Sequence, residues 1–136
     1  MPEENNELQN NLNITLNSLS NDIKKISICT GRDTILYASA SGSSTKAYTL
    51  NNSLMYINEL DLVGLIEAMK GMKNDKLDII IHSLGGSIEV AEQIINTLRS
   101  QYKHIRAIVP LYAKSAATVM CCGCDEIIMS RHAALS

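Results

Sequence analysis

The sequence predicts an α/β fold built on a mainly parallel sheet, and three observations carry that prediction. Two apolar runs, "LDIII" at 77–81 and "IRAIVPLY" at 105–112, have the hydrophobicity of strands buried on both faces. Each is followed by a segment with helical spacing, "IEVAEQIINTLRSQY" at 88–102 and "SAATVMCCGC" at 115–124. A third short run, "EIIM" at 126–129, closes the series. Strand, helix, strand, helix, strand with short joints is the βαβαβ pattern of a parallel sheet, in which function gathers beyond the carboxyl ends of the strands.

The remaining elements follow in chain order. Residues 1–25 are polar and Asn-rich, yet Leu8, Leu12, Leu16, Leu19, Ile23 and Ile26 recur at spacings of four and three. That stripe predicts an amphipathic helix from Glu7 to Lys25, an N-terminal arm that leans on the domain edge or packs between subunits. The domain proper is expected over 26–136. "ISICT" and "TILYASA" flank Gly31-Arg32-Asp33 and read as two short strands joined by a turn. "SGSSTK" at 41–46 is a polar loop. Between Asn58 and Met72, the apolar Leu62, Leu65, Ile66 and Met69 fit a helix with Glu59 and Asp61 near its positive end. The final "SRHAALS" offers no closing element.

Composition narrows the function. With 46% hydrophobic and 19% charged residues in 136, the chain is a single globular domain. Its net charge of −2, with no clustered basic face, argues against nucleic acid or an anionic membrane as partner. No apolar run reaches the ~20 residues of a membrane span, and no signal-peptide layout opens the chain. A cytoplasmic protein is expected, and any membrane association would need a segment missing from this chain. Cys121, Cys122 and Cys124 with His132 invite a metal reading, but zinc sites usually draw ligands from distant elements. "MCCGC" instead continues an apolar segment, in which Cys acts as a small hydrophobe. No metal and no cofactor is expected: Gly85-Gly86 lacks the third glycine of a dinucleotide fingerprint, and "IVPLYA" has no P-loop glycine before Lys114-Ser115.

Two strand-to-helix turns stand out. Gly85-Gly86 permits positive φ and a close approach to the backbone, beside the unpaired N–H groups of a helix start. Ser115 occupies the equivalent turn one βα unit later. Alone, it reads as an N-cap. Its neighbours Ala113, Ala116 and Ala117 leave Oγ uncrowded, however, and the Ala116 N–H joins the glycine turn in the same space. A nucleophile, the N–H after it and a second N–H from a facing turn are the parts of an acyl-transfer site. The logic is that of a nucleophile elbow, although G-x-S-x-G is absent.

"IIIHSLGGSIEVAEQI" followed by "IVPLYAKSAATVMCCGCDEIIMSRHAALS" resembles the serine dehydrogenase proteinase family of the Clp/crotonase superfamily, near the signal-peptide-peptidase A type of serine peptidases. The resemblance covers roughly residues 76–136. It implies stacked ββα units, assembly into homo-oligomers, a peptide or protein substrate, Ser115 as nucleophile, and Gly85 and Ala116 as oxyanion donors. Three departures stand beside it: Leu84 where relatives usually have Pro, Lys114 where they have a neutral residue, and Ala116-Ala117 where a glycine is common. Relatives also continue past "HAALS", so a C-terminally truncated protein is expected.

The proton acceptor is harder to find. Lys114 adjoins Ser115, but neighbouring residues leaving a strand point to opposite sides. His82, at its strand end, and His132, after the third strand, are the imidazoles near the crevice, with His82 the candidate base. The resemblance places the family's base further downstream than this chain extends. Asp125 and Glu126 most simply cap or pair at a strand start. Two other readings remain: a non-catalytic scaffold subunit, and a crotonase-type enzyme that stabilises an acyl-CoA enolate with the same N–H pair.

Overall fold

The computed structural model describes residues 2–39 and 55–136. The polar loop expected at 41–46 lies outside the described residues. In chain order the elements are α1 (Pro2–Thr30), β1 (Asp33–Ala38), α2 (Glu59–Met69), β2 (Lys76–His82), α3 (Ile88–Gln101), β3 (His104–Val109), β4 (Tyr112–Ala113), α4 (Ala116–Cys122), β5 (Glu126–Met129) and β6 (Ala134–Leu135). Strands β1, β2, β3 and β5 lie side by side in that order and all run parallel. β4 and β6 pair in parallel as a second, small sheet.

Alternation within the strands divides the main sheet into two faces. Leu77, Ile79 and Ile81 of β2 and Ile105, Ala107 and Val109 of β3 are fully buried. They share one core with Ala91, Ile94 and Leu98 of α3 and Ala116, Ala117, Met120 and Cys121 of α4. The helices begin where side chains can cap them. Asn58 forms a capping box with Asp61 at the start of α2, and Ser87 Oγ accepts from the Val90 N–H at the start of α3.

The opposite face is built around a charge. Asp78 has no exposed surface and sits between two arginines, with Oδ1 2.6 Å from Arg32 Nε and Oδ2 2.8 Å from Arg106 Nη2. Arg32 also donates to the Leu77 carbonyl at 2.9 Å, and its Nη2 lies 2.9 Å from His104 Nδ1. Because Asp78 pairs in register with Thr34 on one side and Arg106 on the other, this cluster fixes β1, β2 and β3 relative to one another. A slip of one residue would carry the carboxylate to the apolar face.

Three sequence expectations are corrected. "ISICT" is the end of α1 rather than a strand: Ile26 extends the apolar stripe by one more turn, and the Gly31 N–H bonds back to the Ser27 carbonyl at 2.9 Å. The helix therefore runs from Pro2 to Thr30 rather than from Glu7 to Lys25. "IRAIVPLY" is two strands, because Pro110 has no N–H to give a ladder and the chain leaves the main sheet there as β4. "SRHAALS" does hold a closing element, since β6 pairs with β4 through Tyr112–Ala134 and Ala113–Leu135. Among the described residues, no helix is long and apolar enough to cross a membrane.

Replacing Asp78 by Ala would leave two guanidinium groups facing each other without their counter-charge. We expect Asp78→Ala to lower stability by about 3–5 kcal/mol in urea unfolding. Lys70→Ala, at the exposed Lys70–Glu67 pair, should change it by less than about 0.5 kcal/mol.

Candidate active site

Beyond the carboxyl end of β2, the fully buried Ser83 ties two turns together. Its N–H donates to the Tyr112 carbonyl at 3.4 Å, and its carbonyl accepts the Lys114 N–H at 3.0 Å. Its Oγ accepts the Gly85 N–H at 3.1 Å. These bonds bring the glycine turn against the serine turn. A Cβ on Gly85 would lie 2.6 Å from the Lys114 carbonyl, 2.8 Å from Ser115 Cβ and 3.2 Å from the Ala116 nitrogen. Only glycine allows that approach, at a φ of +99°. Gly86 is equally constrained, since a Cβ there would lie 2.6 Å from the Ile57 carbonyl oxygen.

Ser115 has φ 53° and ψ −124°, and it is the one non-glycine with positive φ among the described residues. The Ala117 N–H donates to the Lys114 carbonyl at 3.0 Å, closing a four-residue turn with Ser115 at its first central position. Those angles are the type II′ values that glycine normally supplies, so a side chain there is held under strain. The surroundings hold it. The Ser115 N–H donates to the Ser136 carbonyl at 2.7 Å, and Thr118 Oγ1 lies 2.9 Å from both the Ala113 and Ser136 carbonyls. Ser115 Oγ makes no capping bond to α4, and the residue is exposed. The N-cap reading of this serine is thereby set aside.

The donors in the crevice divide unevenly. The Ala116 N–H has no acceptor among the described residues. Gly86 bridges Ile57 through the carbonyl of Gly85 and the N–H of Ser87, so its own N–H faces the other side, again without an acceptor among the described residues. The Gly85 N–H is occupied by Ser83 Oγ. The structure thus brings Ser115, Ala116 and both glycines together.

The candidate base, His82, makes no hydrogen bond to Ser115 Oγ among the described residues. The His82 ring lies with its centroid 4.3 Å from that of Tyr112, and Lys114 Nζ sits 5.2 Å from the same Tyr112 ring. No side chain among the described residues hydrogen-bonds Ser115 Oγ. His132 is exposed in the turn before β6. Asp125 is held by Arg99 at 2.6 Å and accepts the Ile105 N–H at 2.7 Å, so it pairs at the start of β5 as expected. The Arg99 hydrogen bond, then that N–H, keeps its carboxyl below the usual range.

Cys121 is buried, Cys124 half-buried and Cys122 exposed. Burial pushes the Cys121 thiol up to about 11 and the Cys124 thiol to about 12, which suits packing rather than reactivity. No group of three His, Cys, Asp or Glu among the described residues is arranged to hold a metal ion.

Sequence reasoning missed Ser83, Thr118 and the Ser136 carbonyl, which clamp the site. Only Ser83 left a signal, as a serine two residues before a glycine whose N–H it can bond.

The fold is that of the ClpP proteases. The chain is similar to the ClpP protease catalytic domain from Plasmodium falciparum, with a TM-score of 0.51 and 18% identity over 70% of this chain and 53% of that one. It is also similar to a ClpP1 mutant from Listeria monocytogenes, with a TM-score of 0.50 and 16% identity over 67% and 46%. Residues 54–136, more than half of the chain, match the ClpP-like SDH-type serine proteinases, and the chain belongs to that family. Two proteins of Methanocaldococcus jannaschii (strain ATCC 43067 / DSM 2661 / JAL-1 / JCM 10045 / NBRC 100440) are similar in sequence. "Uncharacterized protein MJ0137" is 36% identical over 81 residues, 59% of this chain, and "Uncharacterized protein MJ1495" is 36% identical over 59 residues, 43% of this chain. The chain spans 28% and 20% of the length of these curated relatives.

The packing of the two turns predicts a clear ranking. Gly85→Ala should cost about 2–4 kcal/mol in thermal unfolding, because both φ and the Lys114 carbonyl oppose it. Gly71→Ala, at φ +80° with nothing within 4 Å, should cost only the ~1–2 kcal/mol of backbone strain.

Proposed function

We propose that this chain is a serine peptidase that cleaves peptide or protein substrates through an acyl-enzyme at Ser115. One observation carries the reading: an exposed Ser115 on a strained turn, packed against a glycine turn, with neither its Oγ nor the Ala116 N–H bonded among the described residues.

In this mechanism Oγ attacks the carbonyl carbon and the carbonyl electron pair moves onto oxygen. That oxygen is met by the Ala116 N–H and by the glycine turn. Gly85 would supply the second donor once its N–H leaves Ser83, with the neighbouring Gly86 N–H as the alternative. Collapse expels the amine, which carries away a proton, and water then releases the acyl group from Ser115. Nothing in these steps requires a cofactor. Family membership supports a homo-oligomer, and the composition supports a cytoplasmic enzyme. The absence of a partner for Ser115 Oγ among the described residues favours, as the second reading, a scaffold subunit with a vestigial site.

Labelling with a fluorophosphonate separates the two. An active site gives a label that Ser115→Ala abolishes, whereas no label on either protein supports the scaffold. Running His82→Ala in parallel tests the base. A labelling rate lower by about 100-fold or more assigns His82 the serine proton, and an unchanged rate puts the acceptor elsewhere.

A further inference from the structure

Helix α1 is 29 residues long, and none of its residues is buried. Leu8, Leu12, Leu16 and Leu19 are 71%, 58%, 52% and 42% exposed, while Ile23 and Ile26 are half-buried where the helix meets the domain. The exposure thus rises steadily towards the free end. The base is firmly placed: Ser27 Oγ donates to the Arg32 carbonyl at 2.7 Å, and Arg32 is locked onto Asp78. Beside the stripe runs an open groove of about 480 Å³, in which Leu16, Leu19 and Ile23 face Met72 across the flank of β1. A long apolar stripe is therefore held out from the domain, with an unfilled apolar slot at its root.

We propose that α1 is a self-association arm that pairs antiparallel with α1 of a second copy, each arm filling the other's groove. Four of the six stripe positions map onto one another about the Thr15–Leu16 bond, while Leu16 falls opposite Thr15 and Ile26 opposite Asn5. In an antiparallel pair centred there, Leu12 falls opposite Leu19 and Leu8 opposite Ile23. The most exposed leucines of one helix then enter the slot at the root of the other. Such a two-fold contact uses the same patch on both copies and closes on itself.

Charge selects this orientation. Glu3, Glu4 and Glu7 lie in the first two turns, and Lys24 and Lys25 near the other end. A parallel pair would gather six carboxylates at one end. An antiparallel pair sets each acidic end against a basic one and opposes the helix dipoles. These charges stand mostly off the stripe, so they bias direction rather than supply contacts. The positions bordering the stripe include Gln9, Thr15, Ser20 and Ser27, all uncharged. Glu4 and Asp22, on one edge, fall opposite Ser27 and Gln9 rather than opposite each other.

The test is the mass of the whole chain by sedimentation, with and without Leu12→Asp plus Leu19→Asp. Both side chains are exposed, so folding should persist, and circular dichroism checks it. Whatever the mass of the parent assembly, the double variant should lower it and raise the dissociation constant by about 100-fold or more. Orientation is read by oxidative crosslinking in a background with Cys29 and Cys122 changed to Ser. Leu8→Cys mixed with Ile23→Cys should crosslink, and Leu8→Cys alone should not. A chain that is monomeric at millimolar concentration overturns the proposal, as does an assembly unmoved by the double variant or self-crosslinking of Leu8→Cys. Binding of α1 to anionic vesicles without self-association would overturn it too.

Discussion

The contact between the Gly85 turn and the Ser115 turn is the constraint on which the rest of the site depends. Two backbone segments from different βα units approach so closely that a single methyl group at Gly85 would sit inside the Lys114 carbonyl contact. Neither turn adopts its conformation on local preference alone. Ser115 holds angles that favour glycine, and Gly85 and Gly86 hold angles that exclude most other residues. Ser83 joins the two by three hydrogen bonds, while β6 and Thr118 secure the far side through the Ser136 and Ala113 carbonyls. Strain of this kind persists only where neighbouring structure over-determines it, and here two separate clamps do so.

The sheet supplies the platform. Its apolar face is closed by α3 and α4, so the turns preceding both helices are carried on a rigid core. Its other face is pinned by Asp78 between Arg32 and Arg106, a buried charge whose geometry demands one register. Removing one member leaves the others uncompensated, so the cluster specifies alignment more than it adds net stability. Arg32 also links this lock to the root of α1, which fixes the direction in which the arm leaves the domain.

Much of this was legible in the residues. β2, β3 and β5 announce themselves as apolar runs, and α3 and α4 as the helical segments that follow β2 and β3. Local spacing also pointed to Gly85, Ser115 and Ala116 as neighbours, because parallel topology brings successive strand ends together. What failed depended on distant partners. "ISICT" has strand-like residues, yet Ile26 continues a helical stripe begun at Leu8. β6 is two residues long and exists only because β4 is there to receive it. The contact of the His82 ring with Tyr112 is also one that no spacing rule reveals. Likewise, that the Gly85 N–H is engaged while that of Gly86 has no acceptor among the described residues follows from the Ser83 hydroxyl and the Ile57 bridge, both of which act through space.

Membership in the ClpP-like SDH-type serine proteinases gives the fold a chemical lineage, and the strained turn at Ser115 is where the proposed chemistry would fall. The most direct measurement of the central claim is boron NMR of a peptide boronate added to the whole chain. The geometry described here predicts a tetrahedral boron bonded to Ser115 Oγ, lost in Ser115→Ala, with its oxygen held by the neighbouring N–H groups. A boron that stays trigonal at saturating protein would contradict the account, because it would mean that the two turns do not form a site for a tetrahedral oxyanion.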